Sequence, residues 1–311
     1  MENNASQPAR PDLRLEWRGP GAQDAAAALQ PVLEGLVARI FTRDPDLSPL
    51  APLTLLVADD QAASLAELGS PAGGDLIQAV HGGDGTTLVF DGPRLAAVLA
   101  GESAEVERFV HLFHRELCRL RDLERRVAST ATFPAGSLDS HIHGMALAAW
   151  SEYFSTRRAV WSLPADSQLL LPHLADLLTA IPPAAAEDLT LAMASGDLEQ
   201  VFAKTLGRLT HLLQTAAHAM GYLAGLELTL DQLGGDMAGR VASSFLGPRW
   251  ARLARMLDVL FGSAGVWDEV FLSNALRPDV LALFASLGLS LGEAEDGGVW
   301  LEPAPPVGAL H

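Results

Sequence analysis

A glutamate flanked by two arginines is the feature of this chain that most suggests chemistry. Residues 113–122 read FHRELCRLRD, with Glu116 between Arg115 and Arg119. Apolar residues recur here at helical spacing, which predicts a helix from Ser103 to about residue 126. Arg115 and Arg119 are four residues apart and therefore share one helix face. Guanidinium groups stay protonated and offer no lone pair, so neither arginine can bind a metal ion, although both can pair with a carboxylate.

The same segment resembles the active-site helix of gluzincin-type zinc metallopeptidases. In their His-Glu-x-x-His motif, two histidines on one helix face bind zinc and the intervening glutamate activates the metal-bound water. Here RELCR stands in its place, with Arg115 and Arg119 at the former metal-ligand positions and Glu116 at the vestigial general-base position. The resemblance implies that the third ligand position, a glutamate on the next helix, is Glu152 in WSEYF. It extends over roughly residues 53–161.

The resemblance implies a catalytically inactive metallopeptidase-like protein, a pseudoenzyme without zinc, that has a binding or regulatory role. We expect Glu152 to face Arg115 or Arg119, because a partly buried carboxylate needs a counter-charge. Residues 86–90 are predicted to form an edge strand, beside which a groove can hold an extended peptide through main-chain hydrogen bonds. Residues 76–80 are predicted to form a further edge strand, with a turn at residues 82–85. The alternative is that Arg115, Glu116 and Arg119 are ordinary solvated residues of a helix.

Two groups of histidines keep open the possibility of a zinc site with non-standard ligands. His111, His114 and Cys118 are spaced by three and four residues, so they share a helix face. His141 and His143 in SHIHG would lie on one side of an extended segment. Either group would make the chain an unusual metallopeptidase or other hydrolase. Structural histidines that line or cap a helix explain the same residues.

Charge and cysteine usage restrict the choice of partner and compartment. The formal net charge is −17, and the basic residues form no long run. Such a field repels phosphate backbones and anionic membranes, so we expect no nucleic acid and no membrane partner, but a protein or peptide partner that is basic or neutral. The single cysteine and the absence of a basic-plus-apolar leader at the N-terminus favour a cytoplasmic protein.

Hydrophobic periodicity predicts few strands and many helices. His211 and His218, seven residues apart on one long helix, are assigned to a helix interface. Prolines 182 and 183 and Gly196 are predicted to interrupt the helical half. The predicted helices are 25–41, 93–100, 103–126 and 145–161, with a helical half from 164 to 286; the predicted strands are 53–58, 76–80 and 86–90, with a hairpin of 289–291 and 299–301.

This order of elements predicts an α+β fold, with a small zincin-like sheet and active-site-type helices followed by a mainly helical half. The predicted organisation is a disordered tail at 1–12, a zincin-like part at 13–163, a helical part with a terminal hairpin at 164–301, and a second disordered tail at 302–311. The helical half supplies a second functional hypothesis. In that hypothesis the chain is a protein-interaction module that uses its helices rather than a peptide groove.

Overall fold

A computed structural model describes residues 13–49, 51–82, 85–126, 133–233, 236–264, 267–295 and 297–303. They divide into two compact units: unit 1 contains the described part of 1–124 together with 161–165, and unit 2 contains the described part of 125–160 and 166–311. The fold class is α+β with a helical C-terminal half, as predicted. The predicted tail at 1–12 and residues 304–311 of the second tail lie outside the described residues.

Unit 1 is built on a four-stranded mixed sheet of β1 (Leu13–Arg18), β2 (Leu53–Ala58), β3 (Ile77–Gly82) and β4 (Gly85–Asp91). The strand order is β1-β2-β4-β3; β1, β2 and β4 run parallel, and β3 is antiparallel to β4. The observed β2 has the predicted bounds, because its apolar residues are buried on both faces of the sheet. The sequence analysis missed β1, whose alternation of apolar and charged residues is the usual signal of an edge strand.

Four helices accompany this sheet: α1 (Pro20–Arg43), α2 (Gln61–Glu67), α3 (Gly92–Ala100) and α4 (Ser103–Arg126). The carboxylate that follows β2 caps α1, because Asp59 accepts the backbone N–H groups of Gly21 at 2.8 Å and Ala22 at 2.6 Å. Gly19 has φ of 96°, and a Cβ there would lie 2.3 Å from the Asp59 carboxylate. Glycine at position 19 therefore permits both the turn into α1 and its cap.

Among the described helices, α1 is long and apolar enough to cross a membrane by length and composition, with a mean hydropathy of 1.2 in its most apolar window. Five of its side chains are nevertheless buried in unit 1: Ala22, Leu29, Leu33, Val37 and Ile40. A core helix of a folded domain passes the same length and composition test. The burial of these side chains favours that explanation of its composition.

Unit 2 consists mainly of helices: α5 (Leu138–Arg158), α6 (Leu171–Ser195), α7 (Leu198–Gly225), α8 (Met237–Ser243), α9 (Gly247–Gly262) and α10 (Glu269–Ser286). The predicted hairpin follows as the antiparallel pair β5 (Leu289–Glu293) and β6 (Val299–Pro303), so the strand includes two residues that were assigned to the tail. One apolar cluster runs through the unit, and α5 and α7 form its largest helix contact. Their backbones approach closely at Gly221, where a Cβ would lie 2.6 Å from the carbonyl oxygen of Tyr153.

Two predicted helix boundaries in this unit are wrong. The helix predicted from residue 145 begins at Leu138, after the N-cap Ser137, whose hydroxyl accepts the N–H of Ser140 at 3.1 Å. Pro182 and Pro183 lie inside α6 and do not interrupt it. The buried residues Leu178, Ile181 and Ala185 continue at helical spacing across the prolines, so packing outweighs the lost backbone hydrogen bonds.

The predicted domain boundary near residue 163 stays a prediction. The structure groups α5, the helix of Glu152, with the C-terminal helices in unit 2, whereas RELCR on α4 lies in unit 1. Glu152 and RELCR are thus parts of different compact units.

Candidate functional site

Helix α4 positions the residues of the RELCR segment by packing its apolar side chains against the sheet. Phe109 and Phe113 stack with ring centroids 6.2 Å apart, and both contact the ring of Phe90 on β4. Arg115, Glu116 and Arg119 are all only partly buried. The amphipathic pattern therefore fixes the orientation of α4, with Arg115 and Arg119 away from the phenylalanines and Glu116 beside Phe109 at the margin of the buried face.

Glu116, at the vestigial general-base position, forms an ion pair with Arg119 one turn along the same helix. The two side chains are 11% and 30% exposed, respectively. The Glu116 carboxylate accepts this contact from a guanidinium, so the interaction is charge-assisted. Glu116 is thus already engaged by Arg119, and Arg119 has no lone pair with which to bind a metal ion.

Glu152 lies in unit 2, on α5, where its Oε2 atom is 3.1 Å from Nδ1 of His218 on α7. The ring of His218 packs edge-on against Tyr222, with centroids 4.8 Å apart. This contact agrees with the assignment of His218 to a helix interface. The expected pairing of Glu152 with Arg115 or Arg119 remains a prediction.

His111 and His114 do share a face of α4, as their spacing predicted. Their Nδ1 atoms lie 2.9 and 2.8 Å from the same hydroxyl oxygen, that of Ser162, which belongs to unit 1. The His114 ring also packs on Trp161 at 4.3 Å, and Cys118 is a fully buried thiol. A metal ion bound by both Nδ1 atoms would have to displace the Ser162 hydroxyl.

His141 and His143 lie on helix α5, so their predicted placement on one side of an extended segment is wrong. Residues two apart on a helix point about 200° apart. His141 packs edge-on against Phe202 at 5.1 Å. His143 instead contacts the Ser273 hydroxyl at 2.9 Å and the Glu269 carboxylate at 3.4 Å. The two histidines therefore cannot serve one metal ion together.

The trio of Ser273, His143 and Glu269 has the composition of a catalytic triad but not its hydrogen bonding. The Ser273 hydroxyl donates to the backbone carbonyl of Glu269, one turn earlier on α10, at 2.9 Å. The hydroxyl hydrogen of Ser273 is engaged by that carbonyl, so it cannot be donated to His143. At the 2.9 Å contact, the Nδ1–H of His143 therefore donates to the Ser273 oxygen. A base that must take the serine proton is absent from this arrangement, which acts as a link between α5 and α10.

A surface pocket of about 420 Å³ on α9 is lined by Arg252, Arg255, Met256 and Val259, and none of the histidines or carboxylates described above borders it. The internal cavity between α5, α7, α9 and α10 has a volume of about 10 Å³ and is lined by alanine, leucine, methionine and valine side chains. Such a lining cannot orient a polar substrate. Among the described residues, no three His, Cys, Asp or Glu side chains are grouped so that they could hold a metal ion.

The two edge strands of the sheet are β1 and β3, which corrects the prediction that residues 86–90 form an edge. β4 lies between β2 and β3 and is paired on both sides. The N–H of Asp91 donates to the carbonyl of Leu76 at 3.1 Å, which places this pair in the hydrogen-bonded set of the antiparallel ladder. Because the two kinds of pair alternate, the main-chain N–H and C=O groups of Ile77, Ala79 and His81 point away from β4.

His81 carries a titratable group at the end of this edge. Its Nδ1 atom is 3.0 Å from the Thr86 hydroxyl across the strand pair. Burial lowers the pKa of the His81 imidazole below its ordinary 6.5, and the Glu124 carboxylate partly offsets this effect. The ring is therefore neutral at pH 7, and this end of β3 carries no positive charge that would repel a basic partner.

The sequence did not predict the contacts between residues that lie far apart in the chain. Ser162, Glu269 and Ser273 have no local pattern that marks them as partners of histidines. The pairing of His173 on α6 with His211 on α7, at 2.7 Å between their Nε2 atoms, was missed for the same reason.

Comparison with known proteins found no match for this chain among protein-family models, curated proteins or solved structures. The likeness to gluzincins therefore depends on the RELCR segment, Glu152 and the order of elements.

Proposed function

We propose that this chain is a catalytically inactive, metallopeptidase-like protein that binds an extended segment of a partner protein along β3. The observation that carries the proposal is the outer edge of β3, where three residues direct main-chain groups away from the sheet. Among the described strands, none pairs with that edge. An extended peptide that adds a strand there gains main-chain hydrogen bonds without displacing existing structure.

The charge pattern on α4 supports a role without catalysis. Arg115 and Arg119 cannot coordinate zinc at any ordinary pH, because their guanidinium groups have no lone pair to donate. Glu116 is engaged by Arg119 and is not poised to activate water. A scaffold of this kind keeps the ability to hold a peptide while lacking the groups that would hydrolyse it.

The partner segment is expected to be basic or neutral and extended. With a formal net charge of −17, the chain attracts basic segments by long-range electrostatics. The side chains of β3 are Ile77, Gln78, Ala79, Val80 and His81, none of which is charged at neutral pH. Affinity at the edge therefore comes from main-chain hydrogen bonds, and the negative net charge of the chain increases the association rate of a basic segment. A reducing cytoplasm suits the single buried thiol of Cys118.

The proposal can be tested by selecting binders from a library of unstructured peptides on the full-length chain. The strongest binders are then measured against Ala79→Pro, which removes one outward N–H but leaves the hydrogen bonds to β4 intact. Ala79→Val is the matched control, because it changes the side chain and keeps the N–H. We expect Ala79→Pro to abolish binding and Ala79→Val to retain it, with both variants melting cooperatively.

Equal binding to the two variants would overturn the proposal, as would a library that yields no binder. Some peptides could still bind the Ala79→Pro variant and compete with one another for a single site on unit 2. Such peptides would instead favour the helical interaction module. Every binding measurement uses the full chain, because a fragment ending near residue 161 would contain α5 without its packing partner α7.

A further inference from the structure

Two exposed histidines from different helices meet on the surface of unit 2. His173 lies in the first turn of α6 and His211 in the middle of α7, and their Nε2 atoms are 2.7 Å apart. The ring centroids are 4.9 Å apart with the planes tilted by 58°. Both side chains are accessible to solvent, so an ion or small ligand can reach the point where the two nitrogens converge.

The chemistry of facing imidazole nitrogens matches a divalent transition metal. At 2.7 Å the Nε2–H of one ring donates to Nε2 of the other, and once that proton moves to Nδ1 of its own ring both Nε2 lone pairs are available at the same place. Imidazole nitrogen is a preferred ligand of Zn²⁺, Ni²⁺ and Cu²⁺. With Zn–N bonds of 2.0–2.1 Å, tetrahedral coordination needs an N···N separation of about 3.3 Å, which a small rotation of either ring provides.

Side-chain ion pairs between α6 and α7, together with the backbone at the start of α6, hold the two helices in register. Asp188 on α6 accepts hydrogen bonds from Lys204 at 2.7 Å and Arg208 at 2.6 Å, both on α7. Immediately before α6, Leu169 and Leu170 have φ of 53° and 56°, a left-handed conformation that leucine rarely adopts. The chain thus enters α6 through a costly turn that places His173 opposite His211.

We infer that His173 and His211 form a binding site for a divalent transition metal of the zinc class. The two imidazoles supply two ligands, and the remaining coordination positions are open to water or to a carboxylate from a bound molecule. A metal ion here would join α6 to α7 and stabilise unit 2. The site uses none of the residues of RELCR, and it does not depend on peptide binding at β3, which belongs to unit 1.

Calorimetric titration of ZnCl₂ into the full-length chain, prepared without a polyhistidine tag and stripped of metal, tests this inference. We expect one zinc ion per chain, and a thermal midpoint that rises with zinc and returns to its original value after addition of EDTA. His173→Gln and His211→Gln should each abolish both effects. His141→Gln is the matched control, because it removes a half-buried histidine of the same unit and should leave zinc binding unchanged.

Zinc binding that persists in both His173→Gln and His211→Gln would overturn the inference and place the metal elsewhere, for example at His111, His114 and Cys118. A titration without binding would also overturn it. Because both histidines are exposed, neither glutamine variant should lose the fold, and unchanged melting without metal verifies this.

Discussion

The ion pairs along α4 in unit 1 differ from the pair between α5 and α7 in unit 2. In unit 1, ion pairs on α4 join neighbouring turns of one helix, as in Glu116 with Arg119 and Arg121 with Glu124. In unit 2, pairs such as Glu152 with His218 join different helices. The sheet of unit 1 also ends in β3, whose outer main-chain groups face away from it, whereas helices satisfy most of their main-chain groups internally.

This difference indicates which unit is suited to recognise an extended partner. Interhelical pairs in a helical core fix the relative positions of helices, and changing them affects stability first. A local i,i+3 pair on an exposed helix face adds little stability, and an unpaired strand edge adds none. Polar groups that contribute little to stability can be retained for binding. We therefore expect substitutions in unit 2 to change folding and substitutions on β3 and α4 to change recognition.

The largest loss of stability should come from adding a side-chain atom where α5 and α7 approach each other closely. A Cβ at Gly221 would meet the Thr156 hydroxyl at 2.0 Å and the Tyr153 carbonyl at 2.6 Å, so Gly221→Ala forces the helices apart. We expect a loss of about 3 kcal/mol in unfolding free energy, measured by urea denaturation. Gly207→Ala, on the same helix with nothing within 4 Å of the added Cβ, should instead stabilise by about 0.5–1 kcal/mol. Similar effects of the two substitutions would contradict the close approach.

Removal of the interhelical carboxylate should have the next largest effect. Glu152→Ala leaves the His218 ring without this acceptor, and we expect a loss of about 1–3 kcal/mol. Glu187→Ala is the matched surface control, since Glu187 is exposed on α6 of the same unit. A double-mutant cycle with His218→Ala would show coupling between the two sites if the contact contributes to stability. Losses that simply add would argue that Glu152 acts through other neighbours.

A buried carboxyl in unit 2 is expected to reduce stability at neutral pH. Asp279 is inaccessible to solvent, and burial raises its pKa above the ordinary 3.8, although Arg252 and Arg249 oppose this effect. The unfolded chain therefore releases this proton at a lower pH than the folded chain, so stability falls as pH rises from 3.8 through the raised pKa. Asp279→Asn should be more stable than the parent at pH 7 by about 1 kcal/mol.

Denaturation at pH 3.5 and pH 7 gives the direct measurement for Asp279→Asn. The advantage of the variant should be small at the lower pH and largest at the higher pH. A variant that is less stable at pH 7 would show that the ion pair with Arg252, at 3.3 Å, outweighs the cost of burying the charge.

The smallest effect should come from Glu116. Glu116→Gln removes one local ion pair with Arg119 on a partly exposed helix face, which is worth about 0.5 kcal/mol or less. Thermal melting should be nearly unchanged. A loss comparable with that of Glu152→Ala would contradict the distinction between local pairing in unit 1 and interhelical pairing in unit 2.

The sequence predicted those elements whose pattern is local. The amphipathic period of α4 and the buried apolar run of β2 gave their bounds correctly, because both signals depend only on neighbouring residues. The shared face of His111 and His114 followed from their spacing. The placement of His141 and His143 failed because Ser137 starts α5 earlier than the apolar pattern alone suggests.

Long-range arrangement was decided by the tertiary structure. The glycines of residues 82–85 predicted the turn and the edge strand 76–80, but no local pattern revealed that residues 86–90 pair on both sides, so their assignment to an edge was wrong. Nor does any spacing bring His173 to His211, or His218 to Glu152, since each pair is brought together by the packing of two helices. By itself the sequence determined that Arg115 and Arg119 cannot bind zinc, because that property belongs to the guanidinium group. Only the fold determined which main-chain groups and which histidines meet, because these depend on contacts between segments distant in the chain.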